Sequence, residues 1–283
     1  MSSGGDRARP RGWPDSYDGV AQARMGFFTD TSVCIGCKAC EVACKEWNQL
    51  PADDFGFKAE SYDNSSRLSA DTWRHVAFIE QRRPAVGGGE DGLRWLMSSD
   101  VCKHCTTAAC LDVCPTGALF RTEFGTVVVQ DDVCNGCGMC VPACPFGVIE
   151  RREEDGRAWK CTLCYDRLKD GMEPACAKAC PTDSIVFGPL DELRDLAAAR
   201  LEDVKRAGEA DARLYLDGDA DGVDGAGAFF LLLDEPEVYG LPPDPVAPTH
   251  HLRDIWGAVA GAAATIALGV AAATVGTARR GRR

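Results

Sequence analysis

The stretch C-N-G-C-G-M-C-V-P-A-C-P, from Cys134 to Pro145, places four cysteines in one short loop and ends on a proline. Three further blocks repeat this pattern in the 283-residue chain. They are C-I-G-C-K-A-C-E-V-A-C at Cys34–Cys44, C-K-H-C-T-T-A-A-C-L-D-V-C-P at Cys102–Pro115, and C-T-L-C followed by C-A-K-A-C-P at Cys161–Pro181. The four blocks, numbered here in chain order, contain all 16 cysteines.

The spacing of these cysteines predicts metal ligands rather than disulfides. Cysteines two to four residues apart can converge on one centre, whereas a disulfide needs a particular separation and direction of the two Cβ atoms. A C-x-x-C-x-x-C loop wraps three thiolates around one corner of a [4Fe–4S] cubane, and the following cysteine, usually before proline, binds the neighbouring cluster. Zinc also binds four thiolates, but four blocks with three C-P endings favour iron and sulfide.

The segments between the blocks predict which blocks share clusters. One hairpin-like segment, with its turn at Glu123–Gly125, separates the second block from the third, which is the spacing of a complete two-cluster ferredoxin. The first and fourth blocks then pair with each other across the chain. The sixteen predicted ligands hold four [4Fe–4S] clusters in four sets: Cys34, Cys37, Cys40 and Cys180; Cys44, Cys161, Cys164 and Cys176; Cys102, Cys105, Cys110 and Cys144; Cys114, Cys134, Cys137 and Cys140.

The predicted fold class is α+β, with two ferredoxin-like two-cluster modules in nested pairing and a single C-terminal transmembrane helix. We expect the inner module at residues 98–146 and the outer module at 27–97 and 147–189. Residues 1–26 form a flexible arm, 190–249 a helix and an extended covering segment, and 250–283 an anchor with a basic tail. In the covering region, regularly spaced leucines from Pro189 to Glu209 predict an amphipathic helix and Phe229–Leu233 predict a strand.

The segment from Ile255 to Ala278 carries no charge and is long enough to span a membrane. Trp256 at one end and the arginine-rich tail at the other are typical of membrane boundaries. The alternative is a buried alanine-rich core helix. If the segment spans the membrane, the positive-inside rule predicts a cytoplasmic C-terminus and an extracytoplasmic cluster domain.

Charge and missing motifs exclude several functions. A net charge of −12 argues against nucleic-acid binding. The sequence shows no nucleophile with an adjacent base and no phosphate-binding loop, so no catalytic residue is predicted. Residues 1–25 lack the apolar run of a secretory signal peptide. A cubane whose four irons all have protein ligands exchanges electrons, so we expect a conducting subunit rather than an enzyme in its own right.

Several longer stretches resemble a known family. They are F-F-T-D-T-S-V-C-I-G-C-K-A-C-E-V-A-C-K-E-W-N at Phe27–Asn48, C-K-H-C from Cys102, K-C-T-L-C-Y-D-R from Lys160, E-P-A-C-A-K-A-C-P-T from Glu173, and P-E-V-Y-G-L-P from Pro236. These residues resemble the beta subunit of membrane-bound formate dehydrogenase, within the four-cluster subunits that serve molybdenum or tungsten oxidoreductases. The likeness extends from Phe27 to the C-terminal helix.

The resemblance implies a role and partners. It implies a catalytic alpha subunit with a molybdopterin or tungstopterin site, a membrane gamma subunit with b haems that reduces quinone, and export of the folded chain with a partner that carries a twin-arginine signal. The equivalent subunit of a thiosulfate, polysulfide or sulfoxide reductase stays open as an alternative. A zinc scaffold and a freestanding ferredoxin are the rivals from other classes, and metal analysis distinguishes the first of them.

Overall fold

The computed structural model describes residues 23–52, 56–59, 62–83, 92–218 and 222–280. Most of the predicted N-terminal arm lies outside these residues. The strands are β1 (Met25–Asp30), β2 (Arg74–Arg83), β3 (Gly92–Val101), β4 (Leu119–Arg121), β5 (Val127–Val129), β6 (Glu150–Arg151), β7 (Ala158–Trp159), β8 (Ile185–Pro189), β9 (Arg213–Tyr215) and β10 (Ala228–Leu232). The helices are α1 (Ala39–Asn48), α2 (Ala109–Asp112), α3 (Cys140–Ala143), α4 (Tyr165–Lys169), α5 (Ala175–Lys178), α6 (Leu190–Arg206) and α7 (Leu252–Arg280), with a 3₁₀ turn at Pro236–Tyr239.

A four-stranded sheet in the order β8–β1–β10–β9 forms the centre of the first compact unit, which ends at Ala247. β1 pairs antiparallel with β8 and parallel with β10, so that Phe28 lies opposite both Val186 and Phe229. The apolar side chains of β10 are fully buried, and the rings of Phe28 and Phe229 stack with centroids 5.4 Å apart. Because β1 precedes the first cysteine block while β8 and β10 follow the fourth, this sheet brings those two blocks together.

Three antiparallel hairpins fill the segments between the blocks. β2 and β3 form a long ribbon, from Arg74 opposite Val101 to Arg83 opposite Gly92. β4 and β5 pair with Leu119 opposite Val129, which confirms the hairpin predicted around Glu123–Gly125. β6 and β7 form a shorter pair, as the sequence between the third and fourth blocks predicted. The predicted helix after the fourth block is also confirmed as α6, which buries Leu190 and three further apolar residues in the core beside the sheet.

Short helices and left-handed turns set the direction of the cysteines within each block. α1 carries Cys40 and Cys44, four residues apart and therefore on one face of the helix. Before it, Gly36 has a φ of 65°, and Gly136 in the third block has a φ of 72°. Glycine adopts this conformation without the steric penalty of a side chain. The loop between the first two cysteines of the first and third blocks therefore turns sharply.

The second compact unit comprises residues 248–283. Its helix α7 contains the stretch Asp254–Ala272, which has a mean hydropathy of 1.8 and no buried residue. Among the described residues this is the one helix long and apolar enough to cross a membrane. The alternative of a buried core helix does not describe it, because these side chains are exposed in the isolated subunit.

Candidate iron–sulfur cluster sites

The first set of thiols, here called group 1, consists of Cys34, Cys37, Cys40 and Cys180, and all four line one cavity. Burial raises the pKa of Cys34, and repulsion from Cys180 and Cys37 raises it further. Three cysteines of the first block thus share a cavity with Cys180, the last cysteine of the fourth block. β1 and β8, which pair side by side, bring these two segments together.

Group 2 consists of Cys44, Cys161, Cys164 and Cys176, all of them buried. Burial is the main cause that raises the pKa of Cys44 well above its usual value, and the next causes are its three partners in the group. The backbone N–H of Leu163 donates to the Cys161 sulfur at 3.3 Å. This group again joins the first block to the fourth.

Group 3 consists of Cys102, Cys105, Cys110 and Cys144, which line one cavity. Burial raises the pKa of Cys105 well above its usual value, and repulsion from the other three thiols adds to the increase. Burial also raises the pKa of Cys110 to about 12, although the ammonium of Lys160 opposes the increase. The second block therefore shares a cavity with the last cysteine of the third.

Group 4 consists of Cys114, Cys134, Cys137 and Cys140. The pKa of Cys140 is raised to about 11, mainly by burial and in part by repulsion from the other three thiols. The backbone N–H of Ala158, in β7, donates to the Cys134 sulfur at 3.5 Å. Cys137 is exposed, as is Cys37 at the corresponding position of group 1.

Some thiols of one group also raise the pKa of a thiol in another group. The pKa of Cys40 in group 1 is raised to about 11, first by burial and then in part by Cys176 of group 2. After burial, the largest cause that raises the pKa of Cys161 in group 2 is Cys102 of group 3. Cys140 of group 4 likewise raises the pKa of Cys110 in group 3. These pairs link group 1 to group 2, group 2 to group 3 and group 3 to group 4, and this order is called the row of groups below.

Buried cations beside the thiols are the feature that sequence reasoning missed. Arg74, Lys103 and Lys160 are each no more than 2 % exposed. Lys103 directly follows Cys102, and Lys160 directly precedes Cys161. These positions in the sequence could have indicated that both lysines lie near the thiols. Arg74 lies far along the sequence from any cysteine, so no local pattern marked it. A fourth cation, Lys45, directly follows Cys44 and donates to the carbonyls of Pro51 and Asp71.

The residues present fit [4Fe–4S] clusters. Thiolate is the ligand that such clusters take. Burial is the main cause that raises the pKa values of Cys44, Cys105 and Cys161, and bound iron would supply the positive charge that favours the thiolate form of these side chains. No three described His, Cys, Asp or Glu side chains are placed to hold one metal ion. A cubane does not require that placement, because each of its thiolates binds a different iron.

Comparisons with known proteins agree with this chemistry. Profiles of the 4Fe-4S dicluster domain match residues 33–118 and 93–190. The chain is 43% identical to the formate dehydrogenase iron–sulfur subunit of Haemophilus influenzae over 220 residues, covering 76% of this chain and 68% of that protein. It is 41% identical to the nitrate-inducible formate dehydrogenase iron–sulfur subunit of Escherichia coli, covering 79% and 74%.

A more distant relative is the B subunit of the anaerobic dimethyl sulfoxide reductase of Escherichia coli. It is 39% identical over 180 residues, which cover 62% of this chain and 80% of that protein. With two dicluster domains and relatives of this identity and coverage, the chain is an electron-transfer protein that belongs to the formate dehydrogenase iron–sulfur subunit family.

Proposed function

We propose that this chain relays electrons through four [4Fe–4S] clusters, one held by each of groups 1 to 4. The pairing is nested: groups 1 and 2 join the first and fourth blocks, and groups 3 and 4 join the second and third. The observation that carries the proposal is the arrangement of sixteen thiols in four neighbouring groups within one compact unit. The domain bounds expected above, with an inner module at 98–146, follow from this pairing.

The row of groups predicts the path of the electrons. Each cluster would accept one electron from one neighbour and pass it to the next, with no substrate bound by the protein. Groups 1 and 4 form the two ends, and each exposes one cysteine, Cys37 or Cys137. Exposed apolar side chains next to these cysteines, Ile35 and Met139, suit contact with partner subunits. Electrons would therefore enter at one end and leave at the other.

The proposed donor is a catalytic subunit that oxidises formate at a molybdopterin or tungstopterin centre, and the proposed acceptor is a membrane cytochrome b with a quinone site. The names of the relatives at 41% to 43% identity support the formate partner. The helix α7 supports a membrane partner. A sulfoxide-reducing partner is the second candidate, favoured by the similarity to the dimethyl sulfoxide reductase subunit.

Purification of the native complex tests this function. We expect about sixteen acid-labile sulfides for this chain and about sixteen irons in addition to the haem iron of the proposed partner, since a cubane holds four irons. We also expect a large pterin-containing subunit that reduces an artificial acceptor with formate. Zinc in place of iron would refute the electron relay. Activity with a sulfoxide and none with formate would favour the second candidate.

The orientation in the membrane is proposed from charge. Arg279, Arg280, Arg282 and Arg283 follow α7 or end it, and positive residues favour the cytoplasmic side. The cluster unit would then lie on the outer face of the cell membrane, anchored by a single span. Protease added to spheroplasts should degrade the cluster unit, whereas a cytoplasmic marker stays intact. Protection of the cluster unit would refute this topology.

A further inference from the structure

Arg74, the first residue of β2, places its guanidinium between groups 1 and 2. Its Nη2 donates to the Cys176 sulfur of group 2 at 3.4 Å. Its Nη1 donates to the carbonyl and the hydroxyl oxygen of Ser99, both at 3.2 Å. The same hydroxyl lies 3.3 Å from the Cys40 sulfur of group 1. One side chain thus contacts group 2 directly and group 1 through a single serine.

No carboxylate in the part of the chain that the structure describes balances the charge of Arg74. The side chain is 1 % exposed, and its guanidinium lies 4.8 Å from the centre of the Phe27 ring. Among the described residues, no Asp or Glu oxygen forms an ion pair with it within 4.0 Å. A buried charge of this kind is very costly unless a partner compensates it. Burial by itself lowers the pKa of Arg74, but Cys176, Cys40, Cys161 and Cys44 together raise it.

This inference rests on the ligand sets proposed above. We propose that Arg74 is a counter-charge shared by the clusters of groups 1 and 2, and that it raises the reduction potential of both. Reduction adds one electron, and hence one negative charge, to a cluster. A fixed cation beside its thiolates stabilises the reduced form more than the oxidised form. Arginine keeps its proton throughout, so the step transfers an electron and no proton.

The effect should be confined to groups 1 and 2. The buried lysines near group 3 have other partners: Lys103 forms an ion pair with Asp100, and Lys160 donates to the carbonyls of Val127 and Cys161. Arg74 has thiol sulfur and a serine instead. The two clusters next to Arg74 are also neighbours in the row. Raising both reduction potentials together keeps the difference between them small, so electrons still pass between the two clusters. Electrons would also be held on these two clusters in preference to the other two.

The test is a redox titration of the native complex, followed by electron paramagnetic resonance, in wild type and in Arg74→Gln. We expect two of the four beta-subunit potentials to fall, each by at least about 59 mV, which is a tenfold change in the equilibrium constant of a one-electron step. The other two potentials should stay unchanged. Arg74→Lys keeps the charge and should lower the same two potentials by less than half as much.

Arg152→Gln is the matched control. Arg152 also stacks on an aromatic ring, that of Trp159 at 4.2 Å, but its polar partners are Asp71, Asp155 and the Ala70 carbonyl rather than thiols. This variant should leave all four potentials in place. Iron analysis accompanies every titration, because loss of a buried cation can prevent cluster assembly. If Arg74→Gln loses iron, the proposal expects the loss to be confined to about eight irons and Arg74→Lys to keep all sixteen, at four irons per cubane.

Several results would overturn the proposal. They are unchanged potentials in a fully loaded Arg74→Gln, a shift of all four potentials, an equal shift in Arg74→Lys, or loss of iron in both variants. The last two would mean that the shape of the guanidinium matters and its charge does not. Failure of the proposed function has a different signature. Wild-type protein with fewer than four clusters refutes the ligand sets before any variant is compared.

Discussion

Groups 1 and 2 and groups 3 and 4 use the same cysteine spacing in different surroundings. Five of the eight cysteines in groups 1 and 2 are buried, and only Cys37 is exposed. In groups 3 and 4 two of the eight are buried, and most of the others are partly open to solvent. Most cysteines of groups 1 and 2 belong to or border a cluster of buried residues that includes Phe27, Val76 and Ile185 from β1, β2 and β8. Most cysteines of groups 3 and 4 belong to or border a smaller cluster that includes Leu119, Val127 and Ala158 from the short hairpins.

The two pairs of groups also differ in how positive charge reaches the thiols. Arg74 donates directly to a sulfur, while Lys103 and Lys160 donate to a carboxylate and to carbonyls. Burial disfavours the extra charge of a reduced cluster, and a nearby cation favours it. A repeated sequence motif therefore does not imply repeated redox properties. The comparison predicts different responses to the same substitution.

The largest difference is expected between Cys176→Ala and Cys137→Ala. Cys176 is buried within a hydrophobic cluster that includes Phe27 and Trp73, so losing this ligand should leave uncompensated charge in the core. We expect Cys176→Ala to lose about eight of sixteen irons, which are those of groups 1 and 2. Cys137 is exposed, and Cys137→Ala should lose no more than about four irons. Iron analysis and thermal unfolding measure both effects.

Cys137→Ala is the matched control here, because the chemistry of the substitution is identical. Equal losses of iron in the two variants would show that the burial of a cysteine does not decide how many irons its loss removes. A larger loss in Cys137→Ala would reverse the comparison.

The next effect concerns Gly136 and Gly36, which precede the second cysteine of their blocks. A Cβ on Gly136 would lie 2.5 Å from the carbonyl oxygen of Gly156, whereas one on Gly36 would lie 2.6 Å from the ring edge of Phe78. A ring can shift more easily than backbone. We expect Gly136→Ala to lower the melting temperature most and Gly36→Ala less, although both also bear about 1–2 kcal/mol of left-handed strain.

Gly117→Ala isolates the strain itself, since its φ is 69° and no atom lies within 4 Å of the added Cβ. It should lower the melting temperature by only about 2–4 °C per kcal/mol of strain. A decrease in Gly117→Ala as large as in Gly136→Ala would argue that the contact with Gly156 is unimportant.

A smaller effect is expected at the buried lysines. Lys160→Met removes a cation close to Cys110, so the potential of the group 3 cluster should fall. Lys103→Met leaves the carboxylate of Asp100 without its partner, so the potential of the group 3 cluster should fall in this variant as well. Redox titration of the loaded complex measures both shifts. Unchanged potentials in both variants would show that these lysines do not act on the cluster.

The smallest effect is expected at the surface pair of Arg67 with Glu150, which are 3.0 Å apart with the Arg67 side chain 69% exposed. Arg67→Ala should reduce stability by less than about 1 kcal/mol, and added salt should reduce the difference from wild type. No potential should change. Comparing melting temperatures in low and high salt checks this, and a salt-independent loss above that size would contradict it.

Much of the local structure was predictable because its causes are local. The turn at Glu123–Gly125 between two apolar runs predicted β4–β5, and the leucine spacing predicted α6. The uncharged run from Ile255 predicted α7, which extends from Leu252 to Arg280. The parallel pairing of β1 with β10 was not predicted, because it joins segments some 200 residues apart through registers that no short pattern encodes.

The cysteine blocks, read by themselves, determined the kind of cofactor, since spacing within a few residues sets which thiols can share one cubane. They also determined the conducting role, because every ligand position is filled. Only the tertiary structure placed group 2 beside group 3 and decided which cations reach the sulfurs. Arg74 shows the reason: its effect depends on distance through the folded protein, and distance along the sequence does not reveal it.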